Sequence, residues 1–150
     1  MKTIHYSGFE FILIYRSDFA TVFYNADLAL ALCSAEAEYI PIDNFREIFL
    51  AVSGLIEKYP MRHFLFDKRS LRTFHQPSME WYFSTWKPMI SKQGLNSHYK
   101  ILPDLEWFVQ AVNAGKHEIF KAHGIDFMEG INVTYMDSVE DVILHCQKEL

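Results

Sequence analysis

Glycine is scarce and dispersed in this sequence, six residues in 150, with no Gly-x-Gly spacing anywhere. That excludes a dinucleotide fingerprint and a phosphate-cradling loop, and no Gly-x-Ser-x-Gly nucleophile elbow occurs either. Cysteine is nearly absent: Cys33 and Cys146 lie far apart, form no Cys-x-x-Cys pair, and read as small hydrophobes in a reducing compartment. A cytoplasmic location is the resulting expectation. Basic charge is in deficit, with 14 Lys and Arg against 19 Asp and Glu for a formal net charge of -5. That is the wrong sign for a surface that neutralises phosphates, so nucleic acid is set aside as a partner. No apolar run is long enough to span a bilayer. The N-terminal MKTIHYSGFEFILIYRSDF is broken by Glu10 and Arg16 and leads to no small-residue cleavage site, so no membrane span or export signal is expected.

The seven histidines show no ligand spacing; His117 and His123 are neither three nor four apart on their helical stretch. No metal and no cofactor are therefore expected. Glu36 and Glu38 read as solvated surface. With no nucleophile, acid/base or metal constellation in view, the sequence points to a non-enzymatic protein.

What the sequence has is apolar bulk. Half of it is hydrophobic and 16% is aromatic, ample for one packed domain over residues 1–150, which at this length buries roughly 68–70% of its unfolded surface. FEFILIY, ATVFYN and LALALC read as strands. The period then changes: Phe45, Ile48, Phe49, Val52, Leu55, Ile56 and Tyr59 form one helical stripe, with Asp43 as N-cap and Pro60 as stop. HFLFD is a buried strand. Pro77 opens a helix that runs to about Gln93 and ends at Gly94, and HYKIL follows as a strand. Asp104 caps a helix with Leu105, Phe108, Val109 and Val112 inward, and a further helical stretch, HEIFKAH, is separated from it near Gly115. NVTYM is a last buried strand. Ser138, with Asp141 three residues on, starts a final helix that buries Val139, Val142, Ile143 and Cys146. Strands that alternate with helices pair in parallel, whereas the closely spaced opening strands pair antiparallel. The expected fold class is therefore α/β: a mixed sheet of N-terminal antiparallel strands followed by parallel βαβαβα units.

The stretch FLFDKRSLRTFHQPSMEWYFSTWKPMISKQG carries a family resemblance in Asp67 and Arg69, Trp81, Trp86 and Pro88, and Gly94, which Pro103 extends. So do INVTYMDSVEDVILH and EYIPIDNFREIF. Over roughly residues 28–150 the chain resembles the SpoIIAA-like family of small bacterial proteins, whose fold is similar to the STAS domain of anti-sigma-factor antagonists. The resemblance implies a STAS-like interaction or regulatory domain. One feature departs from the antagonist branch: its phosphorylatable Ser lies in an Asp-Ser-x-Gly stretch after the strand corresponding to HFLFD, where this chain reads DKRSLRTF. Neither Ser70 nor Ser78 fits that pattern.

Two places stand out as sites. In open α/β sheets ligands bind outside the carboxyl ends of the parallel strands, and Asp67, Lys68, Arg69, Arg72, Pro103 and Asp104 gather there, with Asp137 and Ser138 on the same edge. The cluster reads either as the rim for a ligand or protein partner, or as a local ion pair of Asp67 with an arginine that orders the loop. Aromatic side chains closed over by this rim would suit a small apolar or anionic, lipid-like ligand. The second place is the Trp-rich helix. Winding Ser78 to Gln93 at about 100° per residue gives an apolar arc about 200° wide, with Glu80, Ser84, Lys87 and Ser91 on the far side. If Tyr82, Trp86 and Ile90 face the sheet, Trp81 is left at the border beside Thr85. It is then either covered within the chain or placed at the interface of a homodimer.

Overall fold

In the computed structural model, which describes residues 2–124 and 132–150, seven strands form one mixed sheet in the order β1 to β7. The antiparallel part comprises β1 (Thr3–Tyr6), β2 (Phe9–Arg16), β3 (Ala20–Asn25) and β4 (Leu30–Ala35), and the parallel part continues from β4 through β5 (His63–Asp67), β6 (Ser97–Ile101) and β7 (Asn132–Tyr135). The expected fold class is the observed one. Strand β1 is an addition: Ser7 and Gly8, both at positive φ, make the two-residue turn that folds it back on β2.

Parallel strands laid down in one direction, each crossover having the same hand, must place every crossover helix on one face of the sheet. They do. Helix α1 (Ile42–Leu55), the composite helix α2 (Gln76–Trp81), π-turn (Tyr82–Trp86) and α3 (Lys87–Ser91), and α4 (Glu106–His123) all contribute to one core. On that face β4 presents only Ala31, Cys33 and Ala35, and the room this leaves is filled by Phe45 and Phe49 of α1, Phe64 and Phe66 of β5, and Tyr82 and Trp86. The Trp86 indole donates to the Phe49 carbonyl at 2.7 Å and to Ser53 Oγ at 3.0 Å, tying the composite helix to α1. The other face is aliphatic: Leu30, Leu32, Leu65 and Ile101 meet Val139, Val142, Ile143 and Cys146 of α5 (Val139–Gln147).

Several local expectations need correction. Helix α1 starts one residue after Pro41 with no side-chain cap, so Asp43 sits in its first turn instead of capping it. Helix α4 is likewise uncapped by a side chain: Leu105 holds the N-cap position and Asp104 is an exposed loop residue. The Asp104 carboxylate lies one residue too early to reach the free N–H groups of the first turn. Nor does α4 divide at Gly115. It runs through that residue because a side chain is what cannot be accommodated there: a Cβ would lie 2.5 Å from the Phe74 ring. Strand β7 is an edge strand, with Tyr135 exposed, so it is not buried as its composition suggested. The expectations for Ser138, which accepts from the Asp141 N–H, and for Gly94 at φ +97 after α3 agree with the structure.

The largest correction is Lys87. It was placed on the solvent side of the Trp-rich helix, yet it is fully buried. The π-turn explains this. By closing i to i+5, it holds one residue more than an α-turn, so every position after Trp86 is rotated back by about 100°. Lys87 swings into the arc of the buried rings, Met89 swings out, and Tyr82, Trp86 and Ile90 still face the sheet.

Candidate functional site

The strand-end edge brings together most of the residues expected there. Arg69, Pro103, Asp104 and Asp137 line one groove of about 630 Å³, with Tyr135 and Asn113 on its far wall. The arginine within it, Arg69, is already engaged. Arg69 grips Asp67 with both arms, Nε to Oδ1 at 2.9 Å and an Nη to Oδ2 at 2.7 Å, and this hydrogen bonding holds its guanidinium above the ordinary arginine range. Arg72 donates to the carbonyls of Arg69 and Leu71 at 2.7 and 2.8 Å. Arg69 thus forms the local ion pair with Asp67, whereas Arg72 is held by backbone carbonyls. Pro103 is buried, and Lys68, expected among the exposed rim charges, is only 5% exposed. Just past the end of β5, its backbone N–H donates to the carbonyl of Ile101, the last residue of β6, and its side chain lies inward, under the helices.

Lys68 belongs to a second constellation, which sequence reasoning missed. Lys100 of β6 and Lys87 of α3 are fully buried on the same face of the sheet, and among the described residues no carboxylate pairs with any of the three lysines. Lys100 Nζ lies 4.2 Å from the centre of the Phe83 ring and 4.6 Å from that of Tyr82; Lys87 Nζ lies 4.9 and 5.0 Å from the same two rings. Cation–π contact is the favourable interaction available to them. Neither Nζ has a hydrogen-bond partner among the described residues, and the Tyr82 hydroxyl has none either.

Burial without counter-charge sets the protonation of this cluster. Desolvation first, then the charges of Lys68 and Lys116, pushes Lys87 well below the ordinary lysine range. Lys100 falls for the same reasons, with Lys87 adding to the repulsion. Lys68 is lowered to about 8, by desolvation and then by Lys116, partly offset by its direct contact with Lys100. Nearby His98 is lowered to about 3, by burial and then by Lys87; one ring nitrogen meets the Leu95 carbonyl at 2.9 Å.

Lys68 and Tyr82 also reach the wall of a pocket between α1, α2 and the loop after β5. Phe45, Phe66, Leu71, Phe74, Met79 and Phe108 supply its apolar surface, and Tyr39 and His75 stand among its polar lining. Arg69 and Arg72 are not part of it, so the aromatic pocket and the strand-end groove are separate places, and of the expected rim residues Lys68 lines the pocket. The signal that was available for this site was a lysine alternating with buried residues in HYKIL. It reads as an ordinary exposed position until the helices are known to cover that face.

At the other candidate place, Trp81 is half-buried against α1, with the Phe45 ring 6.2 Å away and the Arg46 guanidinium 6.0 Å over its own ring. Thr85 is exposed. Of the three tryptophans the most exposed is Trp107 of α4, at 51%. No group of three or more His, Cys, Asp or Glu among the described residues is arranged to hold a metal ion, and no helix among them is long and apolar enough to cross a membrane.

No family model and no curated protein matches this chain. A solved structure described as the overall structure of SLC26A9, a protein that has a STAS domain, superposes with a TM-score of 0.50 at 11% identity, over 93% of this chain. The chain spans 24% of that structure's length. Together with the mixed sheet and its parallel β4 to β7, this likeness defines a STAS-like fold.

Proposed function

We propose that this chain acts as a STAS-like interaction or regulatory domain without catalytic activity of its own. The observation that carries this reading is the construction of the strand-end groove. It is wide, its arginine is pinned to Asp67 instead of being aimed at a bound molecule, and the exposed acids Asp104 and Asp137 line it as well. Such a surface suits recognition by another protein better than chemistry at one atom. Recovery of a partner from native extract, followed by reassembly of the purified pair, tests it. Weakening of that pair by Asp104→Arg, which reverses an exposed charge of the groove, with an unchanged melting temperature, is the expected result. Turnover in a broad activity screen that a single point mutation abolishes would overturn it.

A second copy of this chain is a candidate partner, with Trp81 and Thr85 near the two-fold axis. Light scattering across the micromolar range decides this: a dimer that Trp81→Glu separates is expected, and a uniform monomer removes the idea.

A second reading, a binding module for a small molecule, is favoured by the aromatic pocket, which is concave, largely apolar and supplied with buried polar groups on Lys68, Ser78 and Tyr82. Native mass spectrometry of the purified protein, showing a co-purifying mass, is the direct check.

A further inference from the structure

Three buried amines with no carboxylate paired to them among the described residues are the least expected feature of this core. Removing a lysine from water costs several kcal/mol unless the charge is paired or given up. In this chain burial lowers all three, but Lys68 retains much of its proton at neutral pH, and it is the lysine that reaches an opening.

We propose that the aromatic pocket is a binding site for a small amphipathic carboxylate, a short alkyl or single-ring aryl acid, whose head group is received by the Lys68 amine and the Tyr82 hydroxyl. This rests on the ligand-binding reading above and gives it a chemical class. Both donors line the same pocket and both are buried. The hydroxyl has no acceptor among the described residues, and Lys68 has as neighbours another amine, Lys100, and the Phe66 ring, 5.2 Å from its Nζ. One carboxylate with two oxygens satisfies both donors through charge-assisted bonds. The field at Lys68 favours an anion as well, because the Lys116 charge acts on it and no carboxylate among the described residues is paired with it.

Shape narrows the class. The pocket has about 40 Å³ of inner room, and a single water needs roughly 10–15 Å³ on that measure. A three-atom carboxylate fits such a space; a triphosphate does not. The apolar walls select an organic acid over an inorganic anion, which would surrender its hydration to carbon. Its body then lies along Phe45, Phe74 and Phe108.

The test uses the intact chain and calorimetric titration with hexanoate and benzoate, each set against the alcohol of the same shape, hexanol and benzyl alcohol. The acids are expected to bind roughly 10–100-fold more tightly than the alcohols, the worth of a charge-assisted hydrogen bond. Lys68→Met should remove that preference, and Tyr82→Phe, which deletes one oxygen, should weaken acid binding about tenfold or less while leaving alcohol binding as it was. Thermal melts establish that each variant folds; should Lys68→Met fail to, Tyr82→Phe carries the test. Equal affinity for acid and alcohol, or an acid preference untouched by both substitutions, overturns the carboxylate assignment while leaving an apolar ligand site. Binding of neither class at millimolar concentration overturns the ligand-binding reading itself.

Discussion

Strand β6 sends its side chains alternately to two faces whose polar groups fare differently. On the α5 face, the Tyr99 hydroxyl lies 2.9 Å from His145 Nδ1 and 3.3 Å from His63 Nδ1, and His63 Nε2 reaches Glu149 at 3.4 Å. Each polar group in that aliphatic layer meets another. On the opposite face His98 and Lys100 leave nitrogens without partners among the described residues, as Lys87 does. A layer of linked polar groups stabilises and specifies, whereas unpartnered ones cost stability and persist where something else makes use of them. That contrast is what the proposed carboxylate site builds on.

Four measurements break or sharpen this contrast. The largest effect concerns acid. A folded-state histidine held near 3 takes up its proton far more readily once unfolded, so His98 removes stability as pH falls below about 6.5, at about 1.4 kcal/mol per pH unit until about pH 3. Urea titrations from pH 7 to 4 should show this slope, and His98→Gln, which keeps a donor for the Leu95 carbonyl, should flatten it.

Lys100→Met comes next. Replacing an unpartnered buried amine with a side chain of similar length should raise stability by about 1–4 kcal/mol at pH 7. The sign for the parent chain follows from the lowered lysines: the unfolded state holds more protons than the folded one, so stability climbs with pH from 7 towards 9. A shallower climb in the variant is the second readout. Tyr99→Phe, on the satisfied face, should do the opposite and cost about 1–2 kcal/mol, since two histidine nitrogens lose their partner. A stabilising Tyr99→Phe would erase the contrast. The smallest pair concerns the helix starts: Ser138→Ala should cost about 1 kcal/mol through the lost cap of α5, whereas Asp104→Ala should lie within about 0.5 kcal/mol of the parent because α4 has no such cap to lose.

Much of the architecture was legible in the residues. The change from alternating to helical period at Phe45 marks the passage from hairpins to crossovers, and Ser138 and Gly94 punctuate their helices as their chemistry suggests. Which residues stand at the strand ends was legible in part: Arg69, Pro103, Asp104 and Asp137 line one groove, but Lys68 turns into the core. The amine cluster was not. Its existence turns on one extra residue in the turn from Tyr82 to Trp86, a backbone event with no side-chain signature, which carries Lys87 from the solvent arc into the core. It turns equally on all three crossovers covering the face that Lys100 occupies. Periodicity reports how a segment is divided between two sides; it does not report that both sides are covered.

The order of the sheet bears on how the chain assembles. Each strand lies beside the one synthesised just before it, from β1 to β7. During synthesis every new strand therefore meets an edge that already exists, and none must wait in an unpaired state for a partner still inside the ribosome. Pairings between consecutive strands keep the closed loops short, which favours quick growth from the N-terminus over a late, all-at-once condensation.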